Sequence, residues 1–326
     1  MIPQMIKYAD SDSMLIAVIL WGITFGSLFL LASSPVHAQT KNGFDLSNAS
    51  IPAEEIQSGG PPRDGIPALD QPAFKNVEEV NWLDGKDRIL GITRNGVSKA
   101  YPIRILNWHE IVNDQFKDEH ILVTYCPLCR SGMAFISTVD GKTLDFGVSG
   151  LLYNSDVLMY DRQTESLWSQ LMAKAVSGPM QGIRLDQIAI SHTTWQDWQS
   201  NHPETKVLSR NTGYDRNYNR DPYSGYDKNN QVYFPVSNED DTYHRKALVM
   251  GVVQDDFKKA YPFPELKEHK VSFKDQLNDQ MVTVYYDAKN NTGKIITEEG
   301  EEVPTVITYW FAWSAFYPDS KIFKAE

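Results

Sequence analysis

Only two cysteines occur in 326 residues, Cys126 and Cys129, and two residues separate them. A disulfide-stapled secreted scaffold is excluded, so the fold must be held by core packing. No basic patch interrupts a chain with 42 acidic and 31 basic residues, a formal net charge of -11. Such a surface repels nucleic acid, and no nucleic-acid partner is expected. A Gly-rich phosphate loop, HExxH and GxSxG are all missing, and no nucleotide cofactor is expected. Asp221-Pro222-Tyr223-Ser224-Gly225 lacks the spacing of an EF-hand. What the chain does have is 41% hydrophobic and 12% aromatic residues. That suffices for a sizeable core and one large or two small domains.

Residues 14–32 carry no charge, and Val36-His37-Ala38 before Gln39 fits a signal-peptidase site. The run is long for a signal core and nearly long enough to span a bilayer. Lys7 is offset by Asp10 and Asp12, so the preceding segment is only weakly basic. Residues 1–38 are therefore read as a cleaved signal peptide or an uncleaved membrane tether through residues 14–32. A buried core helix is the poorer reading, because a stretch apolar on all sides suits lipid. Either main reading places the remaining chain in an extracytoplasmic compartment, the periplasm or cell envelope.

Residues 39–64 are polar, end near Gly59-Gly60-Pro61-Pro62 and read as a linker. Beyond them, short β-branched and aromatic runs predict strands over 89–93, 97–103, 121–125, 133–139 and 143–146. Helices are predicted over 105–113 and from Thr193 or Thr194 to about Asn201. The expected fold class is α+β and strand-rich.

Two internal matches suggest a degenerate duplication. Gly91 to Pro102 (GITRNGVSKAYP) and Gly251 to Pro262 (GVVQDDFKKAYP) share five of twelve positions at an offset of 160. The same offset aligns His109 with His269, residues 121–125 with 281–285, Cys126 with Tyr286 and Cys129 with Lys289. Further on, TWQDWQSNHPETKVL from Thr194 resembles YWFAWSAFYPDSKIF from Tyr309. The expected organisation is a first lobe over 65–210 carrying the cysteines, a Tyr/Asn/Asp-rich connecting loop over 211–245, and a cysteine-free second lobe over 246–326. The tyrosines of the connecting loop argue against free disorder and for packing over a face of the protein.

Cys126-Pro127-Leu128-Cys129 admits three readings. Two thiolates at this spacing can face one zinc or copper ion. His109 is then the candidate third ligand, with Met133 and Met159 as soft donors suited to Cu(I). A thiol-disulfide pair is the second reading, but Arg130 onward reads as strand, whereas a lowered thiol pKa calls for a helix N-terminus. The third is a structural or inert pair. Glu110, Tyr160, Asp161 and Trp168 are candidates for the surrounding shell or a pocket. Each has an ordinary structural explanation as well: a turn cap or ion pair for Asp161, a core position for Trp168.

NWHEIVND (107–114), TYCPLCRSG (124–132), FGVSGLLYNSDVLMYDRQTESLW (146–168) and GGPPRDGIPALD (59–70) resemble the DUF3179 family of bacteria and archaea. The resemblance covers roughly residues 55–326 and implies an exported or membrane-associated protein. It brings no settled activity with it. The function expected from the residues is an envelope protein binding copper or zinc through Cys126, Cys129 and His109. The alternatives are a thiol oxidoreductase or metal-dependent enzyme, and a non-catalytic module. The sequence identifies no protein partner.

Overall fold

Short β-branched and aromatic runs broken by Gly, Asn and Asp decide the architecture. The computed structural model describes residues 39–325. Strand makes up 41% and helix 11%, in a propeller-like arrangement of five principal sheets. The segment read as signal or tether, residues 1–38, lies outside the described residues. Among the described residues no helix is long and apolar enough to cross a membrane.

The first sheet runs in the order Ser191–Thr194, Arg88–Arg94, Val97–Pro102, Lys206–Leu208, Phe74–Asn76. Asn95 and Gly96, at φ 52 and 74, close its central hairpin with the backbone that suits strand twist. The second sheet orders Gln187–Ile188, Ser131–Ile136, Glu119–Cys126, Ile111–Phe116, Leu69–Asp70. The third orders Lys174–Ser177, Leu167–Ser169, Asp156–Asp161, Phe146–Tyr153, Gln57–Ser58. The fourth holds Val306–Tyr309, Leu248–Gln254, Phe257–Pro262 and Lys321–Ile322. The fifth holds Ser272–Leu277, Gln280–Asp287 and Thr292–Thr297. Four short helices connect them: α1 (Ile103–His109), α2 (Trp195–Asn201), α3 (Phe263–Lys267) and α4 (Trp310–Phe316).

Four strands of the first sheet match the four strands of the fourth in order and pairing. Gly91 faces Ala100 across one hairpin and Gly251 faces Ala260 across the other. A Cβ on Gly91 would lie 2.4 Å from the Trp198 ring, and one on Gly251 would lie 1.9 Å from Trp313. Only glycine lets these indoles sit against the strand. Each indole N–H then donates to a hydroxyl seven residues on, Trp198 to Thr205 at 2.9 Å and Trp313 to Ser320 at 2.8 Å. The second and fifth sheets match too. Lys99 and Tyr101 bind Asp114, and Lys259 and Tyr261 bind Asp275.

This register corrects the sequence alignment by one residue. Asp114 faces Ile121 and Asp275 faces Val282, so the offset becomes 161 beyond the helices. Ser131 faces Cys126 and Thr292 faces Asp287. Cys126 therefore corresponds to Asp287, and Cys129 to Asn290, instead of Tyr286 and Lys289.

Two local expectations also change. Residues 39–64 are not a linker: Phe44, Leu46, Ile51 and Ile56 are buried and form a core cluster with Leu158 and Tyr160. Four apolar side chains spaced through a polar stretch suffice to anchor it. The first helix spans Ile103–His109 instead of 105–113, because Glu110 enters the left-handed region at φ 59 and Ile111 begins a strand. Thr194 caps α2 as its sequence position suggests, accepting from the Asp197 N–H at 3.3 Å.

The Tyr-rich segment 211–245 contains one short 3-10 turn, Tyr226–Lys228, and packs over the α1 and third-sheet side of the molecule. Trp108 donates to the Arg220 carbonyl, Asn107 to Asp221 and Ser155 to the Phe234 carbonyl. Tyr218 and Tyr226 are buried.

Candidate metal centre

Cys126 ends the strand Glu119–Cys126, and Ser131 opposite it begins the next. Pro127 to Arg130 form the hairpin loop between them, closed by Arg130 at φ 56. Strand, not helix, follows Cys129, so no helix N-terminus lowers a thiol pKa here. The loop is held from the fourth sheet, where Tyr309 N–H and Thr308 Oγ1 both donate to the Cys129 carbonyl, at 2.9 and 2.8 Å.

A third residue joins the thiols. Asp156 opens the strand Asp156–Asp161 after the two-residue turn Asn154-Ser155, whose φ values are 51 and 64. Ser237 donates to the Asn154 side chain through its N–H and its hydroxyl, so the Tyr-rich segment fixes this turn. Both thiols donate to the Ser155 carbonyl, Cys129 Sγ at 3.3 Å and Cys126 Sγ at 3.7 Å. Donor atoms of Cys126, Cys129 and Asp156 lie within 4.8 Å of one another. Asp156 is 1% exposed. Its Oδ2 accepts the Leu171 N–H at 3.0 Å, while its Oδ1 has no hydrogen-bond partner among the described residues. A buried acceptor without a partner is costly and calls for an explanation.

Glu110 stands beside this group. Its carbonyl accepts the Tyr125 N–H at 2.7 Å, which fixes residue 110 next to the end of the cysteine strand. Glu110, Arg130, Asn154 and Ser155 are all non-glycine residues at positive φ. Backbone of this kind costs about 1 kcal/mol or more per residue and is often found at functional sites.

Burial dominates the electrostatics. It pushes the Asp156 carboxyl up to about 7, against the opposing pull of the Leu171 and Val157 N–H groups and the two thiols. It pushes Glu110 up to about 8, with the Asp156 charge adding to the rise. Both thiols are raised by burial, Cys129 well above the ordinary range, with the neighbouring Cys126 adding to its rise. Four acids that resist ionisation are gathered in one place, and a bound cation would reverse that preference.

His109 is not part of the group. Its Nδ1 lies 2.8 Å from the Pro67 carbonyl and its Nε2 lies 2.7 Å from the Tyr218 hydroxyl. A carbonyl only accepts, so Nδ1 carries the proton and Nε2 accepts from Tyr218. Burial holds the ring neutral, with its pKa lowered to about 4. Its two nitrogens are spent on tying α1 to Pro67 on one side and to the Tyr-rich segment on the other, which replaces the expected ligand role. Asp161 and Trp168 pair with each other instead, the indole N–H donating to Asp161 Oδ2 at 2.9 Å. Asp161 also caps the turn at Thr164. The Tyr160 hydroxyl donates to Asp64 at 2.5 Å. None of these three faces the thiols with a free polar group. Met133 and Met159 sit in the apolar cluster around the cysteines.

Asp156 was legible only as a polar residue opening an apolar strand in YNSDVLMY.

A family model described as a protein of unknown function (DUF3179) matches residues 63–303. No curated protein and no solved structure matches the chain.

Proposed function

The chain belongs to the DUF3179 family, and we propose that it is an extracytoplasmic protein holding one transition-metal ion between Cys126, Cys129 and Asp156. The observation that carries this is the buried Asp156 Oδ1, which has no hydrogen-bond partner among the described residues and belongs to a carboxylate that shares a 4.8 Å cluster with both sulfurs. Two thiolates with a carboxylate suit zinc better than copper(I), whose preference is for soft donors throughout. Glu110 is the nearest further carboxylate and the natural fourth ligand or ligand partner. The ion would neutralise the buried acids and tie the second sheet to the third.

Thiol-disulfide exchange is the poorer reading. Cys126 and Cys129 are 2% and 0% exposed and their thiols are raised by burial, so neither is poised as a nucleophile. Export rests on the uncharged run at residues 14–32 and on the signal-peptidase-like Val36-His37-Ala38 before Gln39. We also infer that the hairpin units around Gly91 and Gly251 descend from one duplicated unit. Their identical registers and their matched Trp–hydroxyl and Lys–Asp bonds support this.

Elemental analysis of untagged protein tests the metal assignment. About one zinc per chain is expected, with loss in Cys126→Ser and Cys129→Ser. Equal metal content in wild type and both variants would sink it.

A further inference from the structure

A second site adjoins the cysteine loop on its outer face. A pocket of about 190 Å³ is walled by Arg88, Tyr125, Pro127, Arg130, Tyr226 and Tyr309 among others. Pro127 and Arg130 belong to the loop between Cys126 and Ser131, so the pocket and the candidate metal centre share that loop.

Six of the eleven arginines form no ion pair among the described residues, and two of them, Arg88 and Arg130, line this pocket. Arg63, Arg94, Arg104, Arg162 and Arg245 each pair with a carboxylate. Arg88 and Arg130 form no ion pair among the described residues. Arg88 donates only to carbonyls, those of His192 at 2.7 Å, Asn291 at 3.4 Å and Asn290. These bonds aim the guanidinium without pairing it to a carboxylate. Arg130 lies over the Tyr309 ring, 5.9 Å from its centroid. Arg88 is lowered to about 10, by burial first and by the nearby charge of Arg130 second. Asp221 and Asp227 also line the pocket, but Asp221 is engaged by Asn107 and the Tyr223 N–H. Tyr226, 2% exposed, brings a hydroxyl that has no partner among the described residues.

The matched positions sharpen this. Where the first hairpin unit has Arg88 and Arg130, the second has Leu248 and Asn291, while the framework around them is retained. Packing therefore does not demand arginine at either place.

We propose that this pocket binds a small oxyanion, a carboxylate or a tetrahedral phosphate or sulfate, between Arg88 and Arg130. The guanidiniums supply the charge-assisted donors. The ligand would rest on the outer surface of the Cys-Pro-Leu-Cys loop. The site does not depend on a metal at Cys126, so the two assignments stand or fall separately.

The full chain is titrated calorimetrically with sodium phosphate, sulfate, acetate and malonate at constant ionic strength, with chloride as control and with or without EDTA. Saturable binding of at least one oxyanion is expected, unchanged by EDTA, and weakened tenfold or more in Arg130→Gln and Arg88→Gln. Absence of saturable binding by all four anions overturns the proposal. So does wild-type affinity in Arg130→Gln, which replaces a partly exposed side chain and decides the matter if Arg88→Gln does not fold.

Discussion

The loop Cys126–Cys129 and the loop Asp287–Asn290 occupy the same place in two matching hairpins, and they do different things. Both connect strands paired at their last residues, Cys126 with Ser131 and Asp287 with Thr292. Both end in a residue at positive φ, Arg130 at 56 and Asn291 at 45. Each docks on the strand before a helix of the other unit. The Cys129 carbonyl takes hydrogen bonds from Thr308 and Tyr309, and Asn290 Oδ1 takes one from Thr194. Yet Asp287 spends itself within its own loop, accepting from the Lys289 and Asn290 N–H groups and from the Asn290 side chain. The cysteines leave their loop unlatched from within and face Asp156 on the third sheet. The second unit has no such sheet between its matching strands, which run from Thr292–Thr297 almost directly to Val306–Tyr309. Backbone alone does not make the site; the sheet inserted after residue 136 and the Tyr-rich segment do.

The sharpest way to break the contrast is to convert one loop into the other. Cys126→Asp with Cys129→Asn places the second loop's own residues into the first. Loss of both thiolates should lower zinc affinity on the order of 10³-fold or more, since a full structural ligand set is worth about 10 kcal/mol or more. Competition with a chromophoric chelator reads this. Retained zinc would mean that the sulfurs are not ligands.

The shared framework is tested by filling its glycines. Gly251→Ala meets Trp313 at 1.9 Å and Gly91→Ala meets Trp198 at 2.4 Å. Overpacking of this kind costs about 1–3 kcal/mol, with the larger effect expected at Gly251. Urea denaturation measures both. Unchanged midpoints would show that the indoles are free to move away and that the match is superficial.

How far the sequence disclosed these features follows from the range over which each is specified. The strand hairpins, the Thr194 cap and the glycine–tryptophan pairs are local or repeated, and their patterns are visible in one reading of the chain. The cysteine spacing was equally plain, as was the strand after it. Asp156 was not, because it reaches the thiols only through pairing of strands that belong to different sheets. His109 misled for the reverse reason: it is close to Cys126 in the chain, but its two nitrogens are claimed by Pro67 and Tyr218 from distant segments. The one-residue slip in the repeat alignment came from the stretch between the helices and Asp275, where only the Lys–Tyr–Asp contact fixes the register.

A milder probe of the centre keeps both thiols. Asp156→Asn preserves the shape and an acceptor for the Leu171 N–H but removes the charge. Zinc affinity should fall by at least roughly 10–100-fold, the scale that loss of a mere partner of a ligand costs, because Asp156 is itself a proposed ligand. An affinity equal to wild type would place Asp156 outside the coordination sphere and shift attention to Glu110.

The smallest expected effect separates His192 from its counterpart Ile307, the residue at the matching place on the strand before α4. His192 Nε2 donates to the Gly132 carbonyl at 2.9 Å. Burial, aided by the charges of Arg88 and Arg130, holds its pKa down to about 3. The unfolded chain keeps the ordinary value near 6.5 and so binds the proton first as pH falls. The contribution is therefore complete above about pH 6.5 and is lost towards pH 3, at roughly 1.4 kcal/mol per pH unit. His192→Ile, which copies the second unit, should flatten that part of the stability–pH curve while Ile307 in the wild type contributes no slope of its own. A slope between pH 6 and pH 4 as steep in the variant as in the wild type would assign the acid sensitivity to another group.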